Sequence, residues 1–170
     1  MRIPEDLQPG DHLLYGPTPL KKGLLSWMID KAICVKTWSY VCHIEIHVGH
    51  SLSVASRNGI GVNQYPFRLD QLTHVLRPYC QVNMFSAMEW FNRTARGQKY
   101  DFKGLMCFYL AAKRGDRDRM FCSEFAARWD RHAAIRSFTE RFDADKIAPG
   151  NYLMSPAFEE IYNANADNSA

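Results

Sequence analysis

Residues 39–49, SYVCHIEIHVG, alternate along their whole length. Val41, His43, Glu45 and His47 fall on one side, and Cys42, Ile44, Ile46 and Val48 on the other. A period of two predicts a β-strand with one apolar face and one face turned toward something polar. Same-face neighbours on a strand lie about 6.6 Å apart. His43, Glu45 and His47 therefore form a row of titratable groups, and the rest of the chain must both cover the apolar side and make use of the polar one.

The flanking sequence supplies partners for that strand. Pro9-Gly10-Asp11 reads as a turn feeding a short strand over 12–15. Leu24, Leu25, Trp27, Met28 and Ile29 make a broad stripe that predicts a helix over 23–33, facing a core in preference to a membrane. His50 and Ser51 turn the chain into a strand over 52–56. Arg57-Asn58-Gly59 forms a tight turn into a strand over 60–65. A further strand is expected over 75–82 and a helix over 85–96, stopped by Gly97. The second half reads as more helical. Phe102, Leu105, Met106, Tyr109 and Leu110 predict a helix over 100–113, and a charged loop follows over 114–119. Phe121, Phe125, Trp129 and Ala133 recur every four residues and predict a helix over 121–135. Pro149-Gly150 breaks the chain before a short closing helix over 155–163 and a frayed polar tail over 163–170. With no repeat or linker, residues 1–170 read as a single α+β domain.

Composition narrows the function classes. At 170 residues, with 46% hydrophobic and 23% charged side chains, the chain has apolar material for a core, which excludes disorder and disulfide-dense miniproteins. A net charge of +3 is too mild to argue for nucleic acid. No apolar run reaches the roughly 18–20 residues that span a bilayer, so no integral membrane association is expected. Residues 1–11 carry Glu5 and Asp6 with no hydrophobic stretch, and the expectation is a chain without a signal peptide, cytoplasmic as synthesised.

Five cysteines stand at 34, 42, 80, 107 and 122, an odd number with no CxxC pair, matching neither a zinc ribbon nor a disulfide framework. Reduced, mostly structural thiols are the plain expectation. Cys122 differs, because it falls where a charged loop ends and a long helix begins. The positive helix end and unpaired N–H groups there favour a thiolate and can hold an oxyanion. A cysteine opening a helix, combined with a histidine on a strand, is the physical recipe of a thiol hydrolase. The row of His43, Glu45 and His47 also contains zinc-ligand types. Three residues along one straight strand converge poorly on one ion, so no metal or cofactor is expected.

At these residues the chain resembles the permuted NlpC-type papain-like cysteine hydrolases, the YiiX-like group, in which the histidine strand precedes the cysteine helix. The resembling pieces run in order. They are Pro9-Gly10-Asp11, the strand from Tyr40 to Gly49, Gly59-Ile60-Gly61-Val62, the stretch from Gly97 to Leu105 (GQKYDFKGL), Phe121-Cys122-Ser123-Glu124-Phe125, and Ile147-Ala148-Pro149 before Ser155-Pro156. Together they cover most of a core at about 9–157. The resemblance implies a small antiparallel sheet packed against helices, with Cys122 as nucleophile and His43 as general base. The group's third polar residue usually comes from the next strand, yet residues 51–56 hold no carboxylate or histidine. Glu45, which shares the face of His43, is the first substitute, followed by Ser53 and Ser56, then His47. Tyr15, Ser123 and Ser56 are candidates for oxyanion or substrate contact. Tyr100 and Asp101 match a motif of the group but have packing and helix-start roles open to them.

The resemblance implies hydrolysis of an amide, most naturally a peptidoglycan peptide. Nothing in the chain resembles a wall-binding repeat, so reaching the wall would require lysis, a virion or an injection system. Two alternatives remain open at this stage. One is an acyl hydrolase or acyltransferase on lipid-linked esters, with helix 23–33 near a membrane surface. The other is an inactive binding or structural module of the same fold, suggested by the missing strand-two carboxylate.

Overall fold

The computed structural model describes residues 6–19, 24–105, 119–138 and 143–164. The elements run β1 (His12–Tyr15), α1 (Leu24–Thr37), β2 (His43–Gly49), β3 (Leu52–Arg57), β4 (Gly61–Pro66), β5 (Leu72–Pro78), α2 (Met84–Trp90), β6 (Lys99–Tyr100), β7 (Arg119–Met120), α3 (Cys122–His132) and β8 (Phe158–Asn163). A π-helical turn, Phe91–Ala95, continues α2. Six strands form one sheet in the order β4-β3-β2-β1-β5-β8, with every neighbouring pair antiparallel. β6 and β7 make a separate two-stranded parallel ladder. This is an α+β fold in which an antiparallel sheet packs against helices.

The alternation of β2 builds the layers. Ile44 and Ile46 join Leu14, Val54 and Val62 on one face, under Phe125, Ala126 and Trp129 of α3 and Phe91. Fully burying a side chain of this size contributes about 1.5–3 kcal/mol, so this layer dominates the stability of the sheet–helix contact. A buried polar network fixes α3 on the sheet. His12 Nε2 lies 2.9 Å from Asp130 Oδ1, His12 Nδ1 lies 2.9 Å from the Gly10 carbonyl, and the Tyr152 hydroxyl donates to Asp130 Oδ2 at 3.1 Å. The opposite face carries Leu13, Tyr15, Leu72, Val75 and Tyr162, together with the row begun by His43. Between β2 and β3, His50 and Ser51 both have positive φ, 49° and 60°, the handedness that tight hairpins require.

Several expectations need correction. The closing helix over 155–163 is a strand: β8 pairs antiparallel with β5, matching Phe158 to Pro78 and Tyr162 to Val75. Phe158 and Tyr162 sit four apart, a helical spacing. A register shift between Val75 and Leu76 inserts one residue, so Phe158 enters the α3 layer while Tyr162 enters the opposite one. The strand expected over 75–82 begins earlier, at Leu72 opposite Tyr15, and ends at Pro78, which has no N–H to extend a ladder. Val82 instead packs beside Gly10, where an added Cβ would stand 2.8 Å from its methyl. The first helix runs further than expected, to Thr37. Of the helix expected over 100–113, Tyr100 instead belongs to β6, because it pairs with Met120, and residues 102–105 are helical, Asp101 Oδ1 accepting the Gly104 N–H at 2.7 Å. Residues 106–113, the charged loop up to 118 and the tail from 165 lie outside the described residues.

Candidate active site

β2 and α3 meet at their first residues. Cys122 is the first residue of α3, with Phe121 as an N-cap that makes no side-chain capping bond. The first helical bond runs from Phe125 N–H to the Phe121 carbonyl at 2.9 Å. The N–H groups of Cys122 and Ser123 thus precede the helical ladder, at the positive end of its dipole. Two hydroxyls hold this start in place. Ser56 Oγ donates to the Met120 carbonyl at 2.5 Å, and Ser123 Oγ donates to the Ile147 carbonyl at 2.6 Å. Both serines are fully buried in these bonds, so they position the helix start and do not face a substrate. Glu124, in the first turn of α3, turns to Arg128, 2.6 Å away.

The Cys122 thiol is 3% exposed and points toward the Cys42 carbonyl at 3.9 Å. His43, the next residue, opens β2. Burial by itself lowers the proton affinity of its ring. The charge and hydrogen bond of Cys122, followed by those of Glu45, outweigh that effect and raise His43 to about 9. His43 Nε2 lies 3.1 Å from Glu45 Oε1. With Nε2 facing Glu45, Nδ1 is the remaining ring nitrogen.

Glu45 is fully buried and densely bonded. Ser53 Oγ donates to Oε2 at 2.5 Å, Arg57 donates from Nε to Oε1 and from Nη2 to Oε2, both at 2.9 Å, and Arg68 Nη2 stands 3.4 Å from Oε1. Burial favours the neutral acid, but the bonds and charges of His43 and then Arg57 hold the carboxyl well below its usual range. A buried carboxylate survives because it is paired and saturated with donors.

Tyr15 lies opposite His43 in the β1–β2 register, with ring centroids 5.9 Å apart. Its hydroxyl is raised by burial and by the Glu45 charge. His47 stays apart from the cluster, edge-on to Phe67 at 5.7 Å and lowered by burial. Tyr15, His43, Arg57, Arg68, Gln71 and Tyr100 line a cleft of about 330 Å³ that also reaches Cys42. Cys42 is buried, as its alternation implies, and its thiol is raised first by a hydrogen bond with Cys34 and then by burial. Among the described residues, no group of three His, Cys, Asp or Glu is arranged to hold a metal ion.

The structure therefore gathers Cys122, His43, Glu45 and Tyr15, adds Ser53 behind Glu45, and leaves Ser56, Ser123 and His47 outside. Arg57 and Arg68 went unread in the sequence. Arg57 had a usable signal: it continues the 53, 55, 57 alternation of β3 onto the face of Glu45. Arg68 lies in irregular chain with no periodicity to mark it. No family model matches this chain, and no curated protein matches it significantly.

Proposed function

We propose that this chain is a thiol hydrolase of the permuted NlpC-type papain-like kind, acting on an amide bond through Cys122, His43 and Glu45. The observation that carries the reading is a helix-opening thiol whose charge and hydrogen bond raise one imidazole, which is itself 3.1 Å from a buried carboxylate held well below its usual range. A histidine bonded on one side to a carboxylate is held in one orientation and tautomer, leaving its other nitrogen for the nucleophile.

In this reading His43 takes the Cys122 proton and the thiolate attacks the carbonyl carbon. The oxygen gains the electron pair and is held by N–H groups at the start of α3. The C–N bond breaks as His43 returns its proton to the departing amine, leaving a thioester. Water, deprotonated by His43, then attacks the thioester and releases the acid and the free thiol. Glu45 holds the imidazolium through both steps without accepting its proton. A peptidoglycan peptide is the proposed amide. Digestion of purified peptidoglycan by the wild-type chain, with new amino groups appearing and with Cys122→Ala inert, tests this. Unchanged peptidoglycan under both proteins rejects that substrate.

One observation favours a second reading, an acyl hydrolase or acyltransferase on lipid-linked esters. Leu24, Met28 and Val35 of α1, followed by Trp38 and Tyr40, are exposed, Trp38 by 97%. An apolar surface of this kind suits a membrane interface. No helix among the described residues is long and apolar enough to cross a membrane. Co-sedimentation with anionic liposomes at low salt, abolished by Trp38→Ala with Val35→Ser, supports this reading, and absence of binding rejects it.

A further inference from the structure

The donors around Glu45 outnumber the acceptor sites it offers. An ionised carboxylate has about four lone-pair sites. Ser53 Oγ, Arg57 Nε, Arg57 Nη2 and His43 Nε2 fill them at 2.5–3.1 Å. Arg68 Nη2, at 3.4 Å, is a fifth donor at the edge of bonding distance. Arg68 Nε is buried and has no acceptor among the described residues. The guanidinium stacks on the Tyr15 ring, 4.9 Å from its centroid, which fixes its plane without engaging its N–H groups. On the same cleft, Gln71 Nε2 is also buried and has no acceptor among the described residues. Both residues line the cleft that His43 borders.

Charge leads to the same place. Glu45 neutralises one guanidinium, and Arg57 already holds it through two parallel bonds. The charge of Arg68 is left over. The other acid lining this cleft, Asp30, lies on α1 and accepts the Thr18 N–H at 2.8 Å, a bond that orients it and leaves its charge in place. What remains next to the imidazole is one planar Nε/Nη2 edge and one amide N–H, all donors.

We propose that this corner of the cleft is a carboxylate-binding subsite, so that the substrate carries a free carboxylate close to the bond presented to Cys122. The substrate assignment rests on the hydrolase reading above, whereas the subsite itself does not. A carboxylate accepts the Nε/Nη2 edge of Arg68 through both oxygens and reaches the Gln71 amide with one of them, drawing Arg68 off its weak fifth bond to Glu45. The planar Nε/Nη2 edge matches the two coplanar oxygens of a carboxylate.

The test uses the Cys122→Ser chain, which cannot turn over, titrated by NMR with succinamate, with its neutral analogue succinamide, and with inorganic phosphate. Succinamate is expected to bind and succinamide to bind far more weakly. Arg68→Gln should weaken succinamate roughly tenfold or more, the worth of a lost charged hydrogen bond. Gln71→Met, which disturbs no ion pair, should weaken it several-fold. Equal binding of succinamate and succinamide, no binding of either, or indifference to both substitutions would overturn the subsite. Arg68-dependent binding of phosphate in preference to succinamate would overturn the carboxylate assignment. Native alkylation of Cys122 in the otherwise wild-type chain separates the two ideas. A slow thiol with Arg68-dependent succinamate binding removes the hydrolase and keeps the subsite, and a fast thiol without that binding does the reverse.

Discussion

His43 Nε2 and Glu45 Oε1 stand 3.1 Å apart, two residues along one strand and on the same face. The pleat alone would put such residues about 6.6 Å apart at the backbone, and the longer glutamate side chain closes the gap. In the proposed mechanism Glu45 takes the place that a residue of the next strand was expected to fill, and the next strand contributes Ser53 and Arg57, which donate to it.

The first prediction concerns pH. His43 is raised to about 9 from an ordinary value of about 6.5. A raised histidine stabilises the fold fully below its unfolded pKa, and that contribution is lost as pH rises through the folded value. The imidazolium that protonates the departing amine is lost over the same range. Hydrolysis should therefore fall on an alkaline limb near pH 9. In Glu45→Gln that limb should move to lower pH, because the anion that favours the imidazolium is gone. Rate–pH profiles of the two proteins check this, and an unmoved limb would count against the role of Glu45.

A second prediction is structural. His12 and Asp130 are both completely buried and bonded to each other, and Tyr152 adds a further donor. Removing one partner leaves a buried group uncompensated, which costs about 3–5 kcal/mol. Asp130→Ala should lower denaturation stability by that amount, measured by urea titration. A loss below about 1 kcal/mol would mean the network contributes little.

A third prediction falls on Gly61. Its φ is +95°, and a Cβ there would stand 2.2 Å from the Gln98 carbonyl. That approach matters, because the Val62 N–H donates to the Gln98 carbonyl and the Gly97 N–H donates to the Val62 carbonyl, both at 2.8 Å, which docks the segment leading to β6 and, through β7, to Cys122. Gly61→Ala should destabilise by roughly 2–4 kcal/mol from a left-handed backbone plus overpacking. It should also reduce the reactivity of Cys122. A variant as stable as the wild type would show that the segment relaxes freely.

Much of the site was legible because it rests on short-range rules. Period two placed His43 and Glu45 on one face, and a turn of helix opening after a break placed Cys122 at a positive end. The β2–β3 and β3–β4 connections followed from tight turns whose residues tolerate positive φ. What could not be read depends on long-range pairing. The Val75–Leu76 irregularity made the helical spacing of Phe158 and Tyr162 misleading, and nothing local distinguishes a bulged edge strand from a short helix. Ser56 and Ser123 have the right chemistry and the right neighbourhood. Only the packed structure reveals that backbone carbonyls already take their hydroxyls. Arg68 enters through loop geometry, which sequence periodicity does not encode.

The central claim is that Cys122 is a nucleophile activated by His43, and native alkylation addresses it directly. With limiting iodoacetamide at neutral pH, sites are read by peptide mass mapping, and the exposed Cys80 serves as an internal control. The expected result is that Cys122, although buried, reacts faster than Cys80, and that His43→Ala slows Cys122 while leaving Cys80 unchanged. Labelling of Cys122 no faster than Cys80, and insensitive to His43→Ala, would contradict it.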